Sequence, residues 1–298
     1  MTKKDIFLTG GAGFVGKNLY EQLSEKYNLY APSHGELELE DTDAVEDYIK
    51  SHSFDAVIHA ANWGGTRKKT ENLENNVEKN LKFFFNVVRC KKYFKKFIQL
   101  GSGAEYDKLN YLPKMKESYF DNHIPVDSYG FYKYVCSKYI EKMDDSVVLR
   151  IFGCYGKYED YEIRFISNAI CKAIFDLPIV ITNKNVSFDY LYINDLVKII
   201  DHFIENNGQY KFYNVTPDKS IDLLTLAHKV RDISGKRVDI LVKNPGENPE
   251  YSGDNTRLKE EIKNLKFTNI DDGIHELYAW YNNNKNALNY DKISLDQY

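Results

Sequence analysis

Cysteine is scarce and scattered in this chain of 298 residues. Cys90, Cys136, Cys154 and Cys171 show neither zinc-ligand spacing nor the density of a disulfide scaffold, which fits free thiols in a reducing cytoplasm. The seven histidines do not cluster, so no metal site is expected. No apolar run approaches the roughly 20 residues that span a bilayer. The first residues are too polar for a signal peptide. A net charge of −4 creates no field for nucleic acid or an anionic membrane. Lys91, Lys92, Lys95 and Lys96 form a local basic cluster, read as a solvated helix end. No internal repeat is visible. These absences leave a cytoplasmic globular protein of one large domain or two closely packed ones.

What is present begins at the start. Ile6-Phe7-Leu8-Thr9 is an apolar run of strand type, followed by Gly10-Gly11-Ala12-Gly13-Phe14-Val15-Gly16. Lys17-Asn18-Leu19-Tyr20-Glu21-Gln22-Leu23 then has helical spacing. Gly10 permits a tight turn, Gly13 lets the backbone approach a pyrophosphate, and Gly16 lets the helix pack close to the strand. The helix N-terminus favours negative charge. A glycine pattern alone could be a structural turn; with its strand and helix it predicts a bound dinucleotide.

Strand-type runs recur at Leu29–Ala31, Ala56–His59, Phe97–Leu100 and Val147–Phe152. Helix-like segments lie at Lys17–Lys26, Asp43–Ser51, Asn75–Cys90 and Tyr129–Lys142. This βαβα alternation predicts an α/β fold, a Rossmann-type doubly wound parallel sheet, over residues 1–155. Residues 156–298 are expected to form a smaller, mainly substrate-binding α/β domain, with a chain return to the sheet near 185–215. Asp195 stands where an N-cap would begin the helix Leu196–Glu205. Ser220–Ser234 reads as a helix, and the Asn-rich tail Tyr281–Tyr298 is expected to fray. Ligands of such folds lie outside the carboxyl ends of the strands, so residues just after each strand are the functional candidates.

The run Phe97–Leu100 leads into Gly101-Ser102-Gly103-Ala104-Glu105-Tyr106, and Ser128-Tyr129-Gly130-Phe131-Tyr132-Lys133 comes later. Tyr129 and Lys133, four apart, share one face of a helix. An ammonium beside a phenol favours the phenolate, and such a tyrosine can give or take a proton near neutral pH. A serine hydroxyl can hold the carbonyl or alcohol being redoxed. With a nicotinamide in reach, Ser102, Tyr129 and Lys133 suffice for hydride transfer at a C–O carbon. Tyr134 and Lys138 have the same spacing. Tyr129 is preferred because it lies at the helix start, where Pro125 and Gly130 fit a feeding loop. The bland readings are an aromatic packed beside a solvated lysine, and a serine in an ordinary turn.

On these residues the chain resembles the extended short-chain dehydrogenase/reductases that act on nucleotide sugars. The matching elements are Thr9 to Gly16, His59-Ala60-Ala61, Ser102 before Tyr106, Tyr129/Lys133, Arg150 to Gly156, and Tyr190 to Leu196. They run in the family's order over about residues 5–240. Within the family the chain is similar to the GDP-fucose synthase group. That likeness rests on Glu36 to Asp41, on Ala60-Ala61-Asn62-Trp63-Gly64-Gly65, and on Asn80 and Asn86. The group epimerises C3 and C5 of a GDP-4-keto-6-deoxy sugar and then reduces C4 with NADPH. The resemblance implies catalysis by Ser102, Tyr129 and Lys133. It implies cofactor contacts from Gly10, Gly13, Phe14, Val15, Gly16, Ser33, His34, Leu39, Ala60, Ala61, Lys133 and Phe152. Substrate contacts would come from Ala104, Glu105, Tyr106 and Arg164. It also implies a homodimer that pairs the helices within Asn75–Cys90 and Tyr129–Lys142. Phe83, Phe84 and Phe85 in succession put apolar surface on more than one face of the first.

Departures from the pattern sharpen the expectation. The group's epimerising cysteine position is Ala104, and its epimerising histidine position falls at Arg164. Alanine exchanges no proton, and arginine is almost never deprotonated. Gly103 and Ala104 replace the acid pair of the 4,6-dehydratases, and Phe188 replaces a usual arginine. NAD-dependent members usually end the second strand with an acid for the ribose 2′-hydroxyl. Here the strand ends Tyr30-Ala31-Pro32-Ser33-His34, with no acid until Glu36, and Ser33 and His34 could donate to a 2′-phosphate. The expectation is an NADPH-dependent C4-ketoreductase of a nucleotide-activated 4-keto-6-deoxy sugar, GDP-linked by resemblance, without C3/C5 epimerase activity. The alternatives are a nucleotide-sugar 4-epimerase with retained NAD and a dinucleotide-sensing binding protein. Sensors of that kind typically lose the Tyr/Lys pair, which this chain keeps.

Overall fold

The computed structural model describes residues 2–64 and 75–295. In chain order the strands are β1 (Asp5–Thr9), β2 (Asn28–Tyr30), β3 (Ala56–His59), β4 (Lys96–Ser102), β5 (Ser146–Ile151) and β6 (Gly153–Tyr155). After them come β7 (Ile179–Ile181), β8 (Ser187–Phe188), β9 (Tyr190–Tyr192), β10 (Phe212–Val215), β11 (Ile221–Asp222) and β12 (Ile240–Val242). The first five helices are α1 (Phe14–Leu23), α2 (Thr42–His52), α3 (Asn76–Val88), α4 (Ser128–Ile140) and α5 (Phe165–Ile174). The others are α6 (Ile193–Glu205), α7 (Leu223–Ser234), α8 (Thr256–Glu261), α9 (Ile270–Asn283) and α10 (Tyr290–Ser294).

Six strands pair in the order β10-β5-β4-β3-β1-β2, and every pairing is parallel. The doubly wound parallel sheet expected from the alternation is therefore formed. Alternate residues feed opposite layers, as a pleated strand requires. Ile6, Leu8, Ile58, Ile98 and Leu149 pack under α6 and the C-terminal helices. Phe7, Val57, Phe97 and Val148 pack with Phe84 of α3 and Ile140 of α4 on the other face. Chain order reverses between β1 and β3, which makes the loops after those two strands the natural ligand crevice.

Two local expectations fail. β9 runs directly into α6, whose N-cap is Tyr192, so Asp195 lies within the first turn of the helix rather than at the cap. Its buried carboxylate instead accepts from Thr268 N at 2.6 Å and Thr268 Oγ1 at 3.0 Å, pinning a distant segment. The tail does not fray through its described length. α9 continues to Asn283, and α10 seats a fully buried Ile293 with Tyr290 against Phe175. Apolar anchors inside an Asn-rich stretch outweigh its composition.

Candidate active site

The glycine turn connects β1 to α1 at the switch point. Gly10 has φ +74°, and a Cβ there would lie 2.7 Å from Ala61 N, so the loops after β1 and β3 touch backbone to backbone. A Cβ on Gly16 would lie 2.2 Å from Gly10 O, so α1 rises directly off the turn. Gly13 is the N-cap of α1 and supplies no side-chain cap, and the first turn holds no acid. That leaves a helix N-terminus suited to a phosphate. A cleft of about 410 Å³ opens there, lined by Gly10, Gly13, Phe14, Val15, Gly16, Ser33, His34, Leu39, Ala60 and Ala61. A dinucleotide fits this donor set: a cradle bare of side chains, a helix N-terminus and apolar walls.

Two asparagines of α3 brace the cleft. Asn80 accepts from Trp63 N at 2.8 Å and donates to Trp63 O at 3.1 Å, holding the loop after β3. Asn86 donates to Leu39 O at 2.8 Å, holding the loop after β2. Gly65 of the glycine pair lies outside the described residues. His59 is buried and shares a 3.0 Å hydrogen bond with Thr9 Oγ1. Burial, then the nearby Lys133 charge, push its imidazole down to about 3, so it stays neutral.

β4 ends at Ser102, whose Oγ accepts from Ala104 N at 3.1 Å. Asp127 caps α4 by accepting from Gly130 N at 3.1 Å. A Cβ on Gly130 would sit 2.6 Å from Ala104 O, so the first turn of α4 packs directly on the turn that follows Ser102. Tyr129 therefore stands beside that turn, with its ring edge-on to Tyr132 and its side chain partly exposed. Lys133, buried one turn later, donates from Nζ to Leu100 O at 2.6 Å. Tyr132 donates to Asn62 Oδ1 and ties α4 to the glycine-turn cleft. The competing pair faces elsewhere. Tyr134 and Lys138 both bond Asp121, and burial and Asp121 push the Tyr134 phenol up to about 12.

Of the expected substrate contacts, Glu105 and Tyr106 are bonded within the protein and Arg164 lies at the glycine-turn cleft. Glu105 is fully buried: Oε1 accepts from Ser102 N at 2.8 Å, and Oε2 from Ser137 Oγ at 2.7 Å and Arg150 Nε at 2.6 Å. Tyr106 is enclosed too, donating to Asn214 Oδ1 at 2.6 Å and accepting from Arg150. Both brace the turn under Ser102, with their polar atoms bonded to buried partners. Arg164 lines the glycine-turn cleft beside Glu159 and Asp160. Burial pushes the Glu159 carboxyl up to about 7. Phe152 lies between the rings of Tyr106 and Tyr251, at 6.1 and 4.9 Å. Tyr251 was missed. It belongs to no local pattern, and only the fold brings it to Gly103, whose Cβ would lie 2.4 Å from its hydroxyl oxygen.

The chain is similar to a putative UDP-glucose 4-epimerase of Methanocaldococcus jannaschii, 24% identical over 94% of this chain and 99% of that one. It is 27% identical to a dTDP-4-dehydro-6-deoxyglucose reductase of Escherichia coli, over 82% of this chain and 86% of the other. Its fold superposes on a GDP-mannoheptose C4 reductase from Campylobacter jejuni with NADP bound, at a TM-score of 0.80 and 19% identity, covering 94% and 99% of the two chains. Residues 6–216 match the model of one family, and the chain belongs to it: the NAD dependent epimerase/dehydratase family.

Proposed function

We propose that this protein is an NADPH-dependent C4-ketoreductase of a nucleotide-activated 4-keto-6-deoxy sugar, GDP-linked, and that it does not epimerise C3 or C5. The observation that carries the reading is the meeting of the first turn of α4 with the Ser102 turn, which gathers Tyr129, Ser102 and Lys133 at the carboxyl edge of the sheet. When bound in the glycine-turn cleft, the dinucleotide would supply the hydride. Tyr129 gives its phenolic proton to the C4 oxygen. Ser102 donates to the same oxygen and orients the carbonyl. Lys133, buried and fixed by Leu100 O, holds an ammonium one helical turn after Tyr129. Residues 156–298 mainly supply the nucleotide-sugar side.

Loss of epimerisation rests on Ala104 and on the position of Arg164. Inversion beside a ketone needs a base on one face and an acid on the other. Ala104 offers neither, and Arg164 lies in the glycine-turn cleft. The expected result is stoichiometric NADPH consumption with a GDP-4-keto-6-deoxy sugar. Without NADPH, in deuterated water, NMR should show no enzyme-dependent deuterium at C3 or C5. Uptake at either carbon defeats this reading.

One observation favours a second reading, a 4-epimerase with retained NAD. Ser33 donates from N and Oγ to Glu36 Oε2 at 2.7 and 2.8 Å, and His34 pairs with Glu38 at 3.3 Å. Hydrogen bonds from Ser33 hold the Glu36 carboxyl below its ordinary range, so it is anionic where a 2′-phosphate would compete. An epimerase interconverts C4 isomers with no net NADPH loss, so the same assay separates the two.

We also propose a homodimer pairing α3 and α4. Phe83 and Phe84 are covered within the subunit, whereas Phe85 is exposed and meets the exposed Tyr139 of α4 edge-on at 5.3 Å. The expected result by light scattering at micromolar concentration is twice the chain mass of 34.8 kDa. A monomer mass refutes the pairing.

A further inference from the structure

Tyr251 reaches the site from the segment between β12 and α8. Its backbone is zipped onto β8 and the start of β9: Tyr251 N donates to Ser187 O at 2.9 Å, and Asp189 N donates to Tyr251 O at 3.3 Å. The buried Asp189 carboxylate fixes the next turn, accepting from Gly253 N at 2.8 Å and from the Thr216 hydroxyl. The Tyr251 ring is wedged among Tyr111, Phe152 and Phe188, at centroid distances of 4.6, 4.9 and 5.7 Å. Gly103 leaves room for the hydroxyl, since a Cβ there would be 2.4 Å from its oxygen. The hydroxyl thus lies against the turn that follows Ser102, one residue from Ser102 itself. Burial pushes the Tyr251 phenol well above its ordinary range, so it keeps its proton.

We propose that Tyr251 is a substrate-contacting residue, a second hydroxyl that meets, beside Ser102, the sugar oxygen being reduced. The proposal rests on the reading of Ser102 and Tyr129 as the reaction centre. A phenol that stays protonated is a standing donor. As hydride reaches C4, negative charge grows on the C4 oxygen, and a donor already held against the Ser102 turn strengthens with that charge. Preorganised donors of this kind are worth more in the transition state than in the ground state. The aromatic wall holds the phenol in place, so little reorganisation is needed when the substrate arrives.

The test is Tyr251→Phe, which keeps the ring and its packing. With a GDP-4-keto-6-deoxy sugar and NADPH, kcat should fall by about 10²-fold, as for loss of one oxyanion donor. The NADPH dissociation constant, read by fluorescence titration, and the thermal unfolding midpoint should stay at the wild-type values. A kcat within about threefold of wild type, the size of a weak neutral hydrogen bond, overturns the proposal. So does a fall in kcat matched by an equal loss of NADPH affinity, which marks a structural role. Failure of the parent reading shows separately, as full turnover in Ser102→Ala and Tyr129→Phe.

Discussion

On the proposed function, Tyr129→Phe is expected to lower turnover by about 10²–10⁴-fold and to leave NADPH affinity at the wild-type value. The substitution removes one oxygen and no ring volume, so α4 and its packing on the Ser102 turn persist. On the proposed mechanism it removes the acid that gives a proton to the C4 oxygen. Hydride arrival without that proton would leave an alkoxide, which the remaining hydroxyl donors could stabilise but not neutralise efficiently. Tyr134→Phe is the internal control. Its hydroxyl is bonded to Asp121, which also binds Lys138, away from Ser102. Steady-state kinetics of both variants should give a slow Tyr129→Phe and a near-normal Tyr134→Phe. The reverse pattern would transfer the chemistry to the second pair.

The largest loss of stability is expected at Arg150. This side chain is fully buried at the end of β5, with Nε on Glu105 at 2.6 Å and its guanidinium 4.1 Å from the Phe120 ring centroid. Arg150→Ala strands the Glu105 carboxylate in the core. Breaking a buried pair from one side costs about 3–5 kcal/mol, because the remaining charge is uncompensated. Glu105 also accepts from Ser102 N at 2.8 Å, so the damage reaches the Ser102 turn. Denaturant unfolding should show the loss, and activity should fall in the surviving folded fraction. A change below about 1 kcal/mol, the level of an exposed pair, would contradict this account.

Much of the architecture was legible because it is local. Strand-type runs and intervening helical periods need no distant partner, and they sufficed for the parallel sheet. The glycine turn was legible for the same reason, since its three glycines and its helix are contiguous. Asp195 misled because an N-cap pattern is also local, whereas the use of its carboxylate on Thr268 is not. Glu105 and Tyr106 show the same contrast between local and distant information. Their place after Ser102 suggested substrate, but Arg150 and Asn214, remote in sequence, take up their polar atoms.

By itself, then, the sequence determined the order of β and α elements, the glycine crevice and the four-residue spacing of Tyr129 and Lys133, all properties of short backbone segments. Only the tertiary structure decided the rest. It chose which of two equally spaced Tyr/Lys pairs lies by Ser102, because Gly130 lets α4 close on Ala104 O while Asp121 takes the other pair. It turned Glu105 inward, and it brought Tyr251 from the far end of the chain to Gly103. Those outcomes depend on burial and on partners remote in sequence, 45 residues away for Arg150 and Glu105, or on competition between near ones. A pattern read along the chain does not contain that information.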